Sequence, residues 1–311
     1  MADLVVPKCR RAGYHVLAPL LVLASTPALA QQPPTLRVFA PPELAASEAR
    51  LKTFDPRTLA GIVRTVGLAE PGPPIDVVLA GEESEAARMS GSEVAGYALG
   101  RASLVVLFPS RSPRYPHDTL EDVLRHEVAH VLVDRAAGGR DVPQWFNEGL
   151  AMAVERPWGL EDRSRLVWEL AAGPRLSLRQ IDALFTGPGS SRARGYSLSA
   201  AVVRDLIARH GADAPARVLR LVRDGAAFDD AVAAVAGRPL GAVEDAFWDR
   251  QRVWTIWVPL FTSDHIFWII VILVAALAVW RRRRQSAAIR RRWEEDAREE
   301  PAPDDNPWHR E

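Results

Sequence analysis

The stretch His126–Ala151 reads HEVAHVLVDRAAGGRDVPQWFNEGLA. Two histidines stand four apart around Glu127, and a second glutamate, Glu148, follows inside Asn-Glu-Gly-Leu-Ala. Upstream, Asp118 is a predicted helix N-cap with Glu121 three residues on, a capping-box pattern. Gly138-Gly139 stops the helix. With residues placed about 100° apart and Leu120 at zero, Leu124, Val128, Val131 and Leu132 fall within about 120° and form a core-facing stripe. His126 and His130 then fall near about 240° and 280°, and Glu127 near about 340°. The imidazoles share one face, one turn apart, with Glu127 between that face and the core.

This arrangement suits a zinc ion. Two neutral imidazoles at i and i+4 take two corners of a tetrahedron, and a carboxylate beside them accepts a proton from metal-activated water without being a ligand. The part-apolar setting of Glu127 raises its pKa in the useful direction. A third ligand is required. After the glycine stop and Pro143, QWFNEGLAMAVE from Gln144 reads as a second helix folding back on the first, which points Glu148 at the metal. Gly149 permits close helix approach. The competing reading is two solvated helices with His and Glu on their surfaces.

The rest of the chain sets the context. It has 311 residues, 48% hydrophobic and 25% charged, enough for a normal core. Formal net charge is zero, so nothing indicates nucleic acid as a partner. The single cysteine, Cys9, excludes a thiolate metal site or a disulfide framework within the chain. Any metal must be held by His and carboxylate.

Both ends carry membrane signals. Lys8, Arg10 and Arg11, the short apolar run Val16–Ala24 and Ala28-Leu29-Ala30 fit a signal peptide over 1–30, cleaved after Ala30; the alternative is an uncleaved anchor. Residues 31–34 form a linker. Near the other end, IFWIIVILVAALAVW (Ile266–Trp280) is wholly apolar and Arg281–Arg284 follow. Extended back to Phe261, the segment 261–280 is predicted to span a bilayer, against the alternative of a buried core helix. Trp254, Trp257, Trp268 and Trp280 are aromatic anchors, and His265 sits near the membrane interface. Basic residues stay on the cytoplasmic side. The basic-then-acidic tail 281–311 is therefore predicted inside, and the domain 35–252 outside, facing a periplasmic or extracellular space. Substrates at the cell envelope follow from that location; oligomeric state does not.

Within 35–252 the order is strands first and helices after, an α+β arrangement. Strands are predicted at Thr35–Ala40, Ile75–Ala80, Val94–Leu99 and Ala102–Phe108, the last two a hairpin about Gly100-Arg101. Pro42–Gly67 is helical with a break at Asp55-Pro56. GPGSSRARG (Gly187–Gly195) is a loop by composition, a connector or a lid, and lacks a phosphate-binding signature. His117 and His210 have no spaced partner and read as surface or capping residues. Asp213–Arg252 reads as two or three packing helices with Phe228, Phe247 and Trp248 in the core.

His126-Glu127-Val128-Ala129-His130 followed by Trp145-Phe146-Asn147-Glu148-Gly149-Leu150-Ala151 resembles the gluzincin metallopeptidases, and most of all the peptidase-MA-like family of exported bacterial proteins. The resemblance implies a thermolysin-like catalytic domain with a small N-terminal sheet and a helical C-terminal part. It implies zinc held by His126, His130 and Glu148, with Glu127 as catalytic base. It implies an oxyanion-stabilising tyrosine, for which Tyr196 is the candidate beside a core or capping role. It also implies that the strand before the active-site helix, Ala102–Phe108, pairs with an extended peptide. One departure stands out. The acid expected four residues after the third ligand is Met152 here, leaving Asn147, Asp134 or Glu155 to support a ligand histidine. The function implied is a membrane-anchored, exported zinc metallopeptidase. The alternatives are a zinc-containing binding or assembly module with little catalysis, or the same chemistry on a non-peptide amide or ester.

Overall fold

The computed structural model describes residues 31–113, 116–155, 158–262, 268 and 271–284. The predicted signal peptide 1–30 and the tail beyond 284 lie outside them, as do 263–267 and 269–270 of the predicted span.

A four-stranded sheet opens the domain: β1 (Leu36–Phe39), β2 (Ile75–Leu79), β3 (Gly96–Leu99) and β4 (Leu104–Leu107), in the order β1-β2-β4-β3. The first three neighbours in that order are parallel, and β3 pairs antiparallel with β4, Tyr97 opposite Val106. Parallel pairing needs crossovers. These are α1 (Ala45–Lys52) and α2 (Ala60–Val66) between β1 and β2, and α3 (Glu85–Ser90) after β2. The order is thus not simply strands first: three helices interleave the sheet, and only the chain beyond β4 is helical throughout. Strand β2 shows a half-buried alternation. Ile75, Val77 and Leu79 face the core, with Asp76 and Val78 between them half-buried.

The helical part runs α4 (Leu120–Ala136), α5 (Gln144–Glu155), α6 (Leu160–Ala172), α7 (Leu178–Leu184), α8 (Gly189–His210), α9 (Ala214–Arg223), α10 (Phe228–Ala236) and α11 (Leu240–Thr262). Leu120 and the predicted α4 stripe of Leu124, Val128, Val131 and Leu132 are buried. Its N-cap is Thr119, one residue later than predicted: the Thr119 hydroxyl accepts from the Asp122 N–H at 3.1 Å. Glu121 is thereby released to an ion pair with Arg50 on α1. Gly138 and Gly139, both at positive φ, follow the helix end. In the last helices Phe247 and Trp248 are buried, Phe228 is half-buried against Trp145 and Phe146, and the Trp248 indole donates to Leu176 O.

GPGSSRARG is not a loop. Residues 189–195 are the first two turns of α8, beginning after Pro188, whose carbonyl accepts the Ser191 and Arg192 N–H groups. Small residues here serve packing. A Cβ on Gly195 would sit 3.1 Å from the Phe185 ring.

Among the described residues no helix is long and apolar enough to cross a membrane. Residues 271–284 are helical, and Val271, Ile272, Leu273, Val274, Leu277, Val279 and Trp280 are exposed along them.

Helix α5 lies between α4 and α8, and Gly149 sets its distance from α8. A Cβ there would stand 2.4 Å from the Ser199 carbonyl oxygen, a backbone atom that cannot swing away. The close approach predicted from Gly149 is therefore made to α8. Gly149→Ala is expected to lower the unfolding free energy by about 1–3 kcal/mol in urea titration. An unchanged midpoint would show that α5 and α8 can separate freely.

Candidate metal centre

A cleft of about 750 Å³ runs between the sheet and the helices. Strand β3 forms one wall, α4 and α5 the floor, and Arg192 and Tyr196 of α8 the far side. Three residues converge on the floor. His126 and His130 project from the same side of α4, their rings 4.7 Å apart. Helix α5 brings Glu148 to both: Glu148 Oε2 is 3.1 Å from His126 Nε2 and 3.5 Å from His130 Nε2.

These spacings fit a metal ion. With metal–nitrogen and metal–oxygen bonds of about 2.0–2.1 Å, the edges of a tetrahedron are roughly 3.3–3.5 Å long. All three donor atoms lie within 4.8 Å of one another. The donor set, two imidazoles and one carboxylate, is a zinc type that leaves a fourth position for other ligands.

The outer nitrogens of both histidines are committed. His130 Nδ1 donates to Asn147 Oδ1 at 2.9 Å. His126 Nδ1 is 3.1 Å from Glu155 Oε2. Glu155 is 4% exposed and its carboxyl is held at about 2: burial opposes that shift, but hydrogen bonds from His117 and His126 outweigh it. An ionised carboxylate only accepts, so His126 carries its proton on Nδ1 and turns Nε2 toward Glu148. The supporting acid missing at Met152 is thus supplied seven residues after Glu148 rather than four, two turns along the same face of α5. Asn147 supports the other histidine. Asp134 lines the cleft one turn beyond His130.

Sequence reasoning missed His117. It is 7% exposed rather than a surface group, lines the cleft, and places Nδ1 3.1 Å from Glu155 Oε1. No spacing signal could have found it, because its partner is 38 residues away and reached only through tertiary packing. His210, as expected, lies at the C-terminal end of α8 away from the cleft.

Glu127 is 5% exposed and lines the cleft. Burial raises its carboxyl above 4.5, against the pull of His130, His126 and His117. Burial also places the Tyr196 phenol well above 10, reinforced by Glu148 and Glu127. The Tyr196 ring lies 6.1 Å from that of His126 and packs edge-on against Phe185.

The peptide-pairing strand is corrected. β4 lies between β2 and β3, with both edges occupied, so it cannot accept another strand. The strand on the cleft is β3, an edge strand among the described residues, with Gly96, Tyr97 and Ala98 along the wall.

Residues 119–253 match the family model described as Peptidase MA superfamily. The match begins at the N-cap of α4 and ends within α11, so it holds the whole metal centre and leaves out the sheet. No curated protein matches the chain.

In the metal-free chain the Glu155 contribution to stability has a definite sign. Its folded carboxyl titrates at about 2 against an ordinary 4.5, so the stabilisation is complete above 4.5 and is lost as pH falls toward 2. His126 is raised well above 6.5: burial would lower it, and Glu148 and Glu155 more than reverse that. Its contribution is complete below 6.5 and is lost as pH rises through the raised value. Urea unfolding of metal-free protein should therefore show a stability loss between about pH 4.5 and about pH 2 that shrinks in Glu155→Gln. An identical loss in that variant would contradict the assignment.

Proposed function

From the match of residues 119–253 to the family model described as Peptidase MA superfamily, we propose a zinc-dependent metallopeptidase that hydrolyses peptide bonds. The observation that carries the reading is the Glu148 carboxylate at 3.1 and 3.5 Å from two imidazoles, with Glu127 buried beside them.

His126, His130 and Glu148 would hold the ion. Zinc, when bound, supplies Lewis acidity toward a carbonyl and lowers the pKa of water toward about 7. Glu127 accepts the proton of the attacking water and delivers it to the leaving amine. Its raised pKa keeps the proton within reach of both partners. Tyr196 keeps its phenolic proton at neutral pH and donates to the oxygen that gains charge. The outer edge of β3 offers backbone groups to an extended peptide, which lays the scissile bond over the floor of the cleft.

The weakly catalytic alternative rests on Met152 and on the open role of Tyr196. Glu155 and Asn147 provide the support that Met152 does not, which favours a working centre.

The reading includes location. The exposed apolar face of 271–280, followed by Arg281–Arg284, supports a single anchor over 261–280 with the catalytic domain outside and the tail in the cytoplasm. Its substrates are then peptides or proteins of the cell envelope.

Glu127→Gln should keep stoichiometric zinc and lose roughly 10²–10⁴-fold in peptide hydrolysis. Hydrolysis unchanged by that substitution would remove Glu127 as base and this reading with it. For the anchor, a chain ending at Arg252 should move from the membrane pellet to the soluble fraction when cells are fractionated. Retention in the pellet would contradict the single-span topology.

A further inference from the structure

His117 lies outside the ligand set, on the segment just before the α4 N-cap. Its ring meets that of His126 edge-on at 4.7 Å. Its Nδ1 reaches Glu155 Oε1 at 3.1 Å while His126 Nδ1 reaches Glu155 Oε2 at the same distance. The Glu155 side chain is wholly withdrawn from solvent.

A carboxylate in that position needs donors on both oxygens. One donor would leave the other oxygen unsatisfied and the group free to turn about its terminal bond. Two donors, one on each oxygen, fix its plane. That plane in turn sets the rotation of the His126 ring, and so where Nε2 points. A histidine serving only the core could bond any nearby acceptor; this one bonds the carboxylate that also holds a metal-site imidazole.

We infer that His117 is a positioning residue of the metal centre, clamping Glu155 so that His126 presents Nε2 to the ion. This rests on the zinc reading above.

The test is a double-mutant cycle on zinc affinity, measured by chelator competition with the purified full-length chain. His117→Ala should weaken zinc binding roughly 10–100-fold, the usual cost of losing a partner one shell behind a ligand. His117→Asn, which presents an N–H near the place of Nδ1, should retain most of the affinity. In a Glu155→Gln background His117→Ala should add little further loss, because the two residues act as one unit. If His117→Ala does not fold, His117→Leu, similar in size and lacking a donor, carries the same cycle. Affinity unchanged by removal of the His117 donor, or the same loss in both backgrounds, would overturn the inference and make His117 a packing residue. A wild-type chain that takes up no zinc would overturn the zinc reading and this inference together. Zinc uptake that ignores His117 would overturn only this one.

Discussion

One carboxylate approaching two imidazoles, all sheltered from bulk water, is the constraint on which the helical part of the molecule turns. Glu148 stands within 3.5 Å of Nε2 on both histidines. Such a cluster is costly to bury unless its charges are paired and its remaining donors and acceptors are met. The surrounding helices meet them. Asn147, beside Glu148 on α5, takes the outer N–H of His130, and Glu155, two turns along the same helix, takes that of His126. A single helix thus supplies one candidate ligand and both supports. Its seating against α8, where Gly149 lets the Ser199 carbonyl come close, places all three together.

The sheet does a different job. Its core-facing residues, among them Ile75, Val77 and Val105, pack in one cluster with the inner stripe of α4, so the helix that carries His126 and His130 rests on the sheet. The β3–β4 hairpin then places an edge strand along the cleft. The family match covers only the helices, although the cleft is built from both parts.

Much of the centre was legible in the sequence for physical reasons. The α4 stripe follows the helical period, and His126 and His130 share a face because four residues make about one turn. Gly138-Gly139 and Pro143 mark the reversal that returns Glu148. The four strands could be read from short apolar runs and the turn residues between them. What could not be read depends on tertiary contact. The link from His117 to Glu155 exists only once α5 has crossed α4. The parallel order β1-β2-β4 follows from crossovers that a strand-by-strand reading does not contain. GPGSSRARG misled because small residues suit both a loop and a tightly packed helix, and only the Phe185 ring against Gly195 distinguishes them. Met152 stands at the one-turn spacing, whereas the chain places its supporting acid, Glu155, two turns on.

The central claim is that two imidazoles and one carboxylate hold zinc. Zinc X-ray absorption on the metal-loaded full-length chain tests it most directly. The account predicts a shell of nitrogen and oxygen at about 2.0–2.1 Å with the outer scattering of two imidazoles and no sulfur. A sulfur distance of about 2.3 Å, or an all-oxygen shell without imidazole scattering, would contradict it.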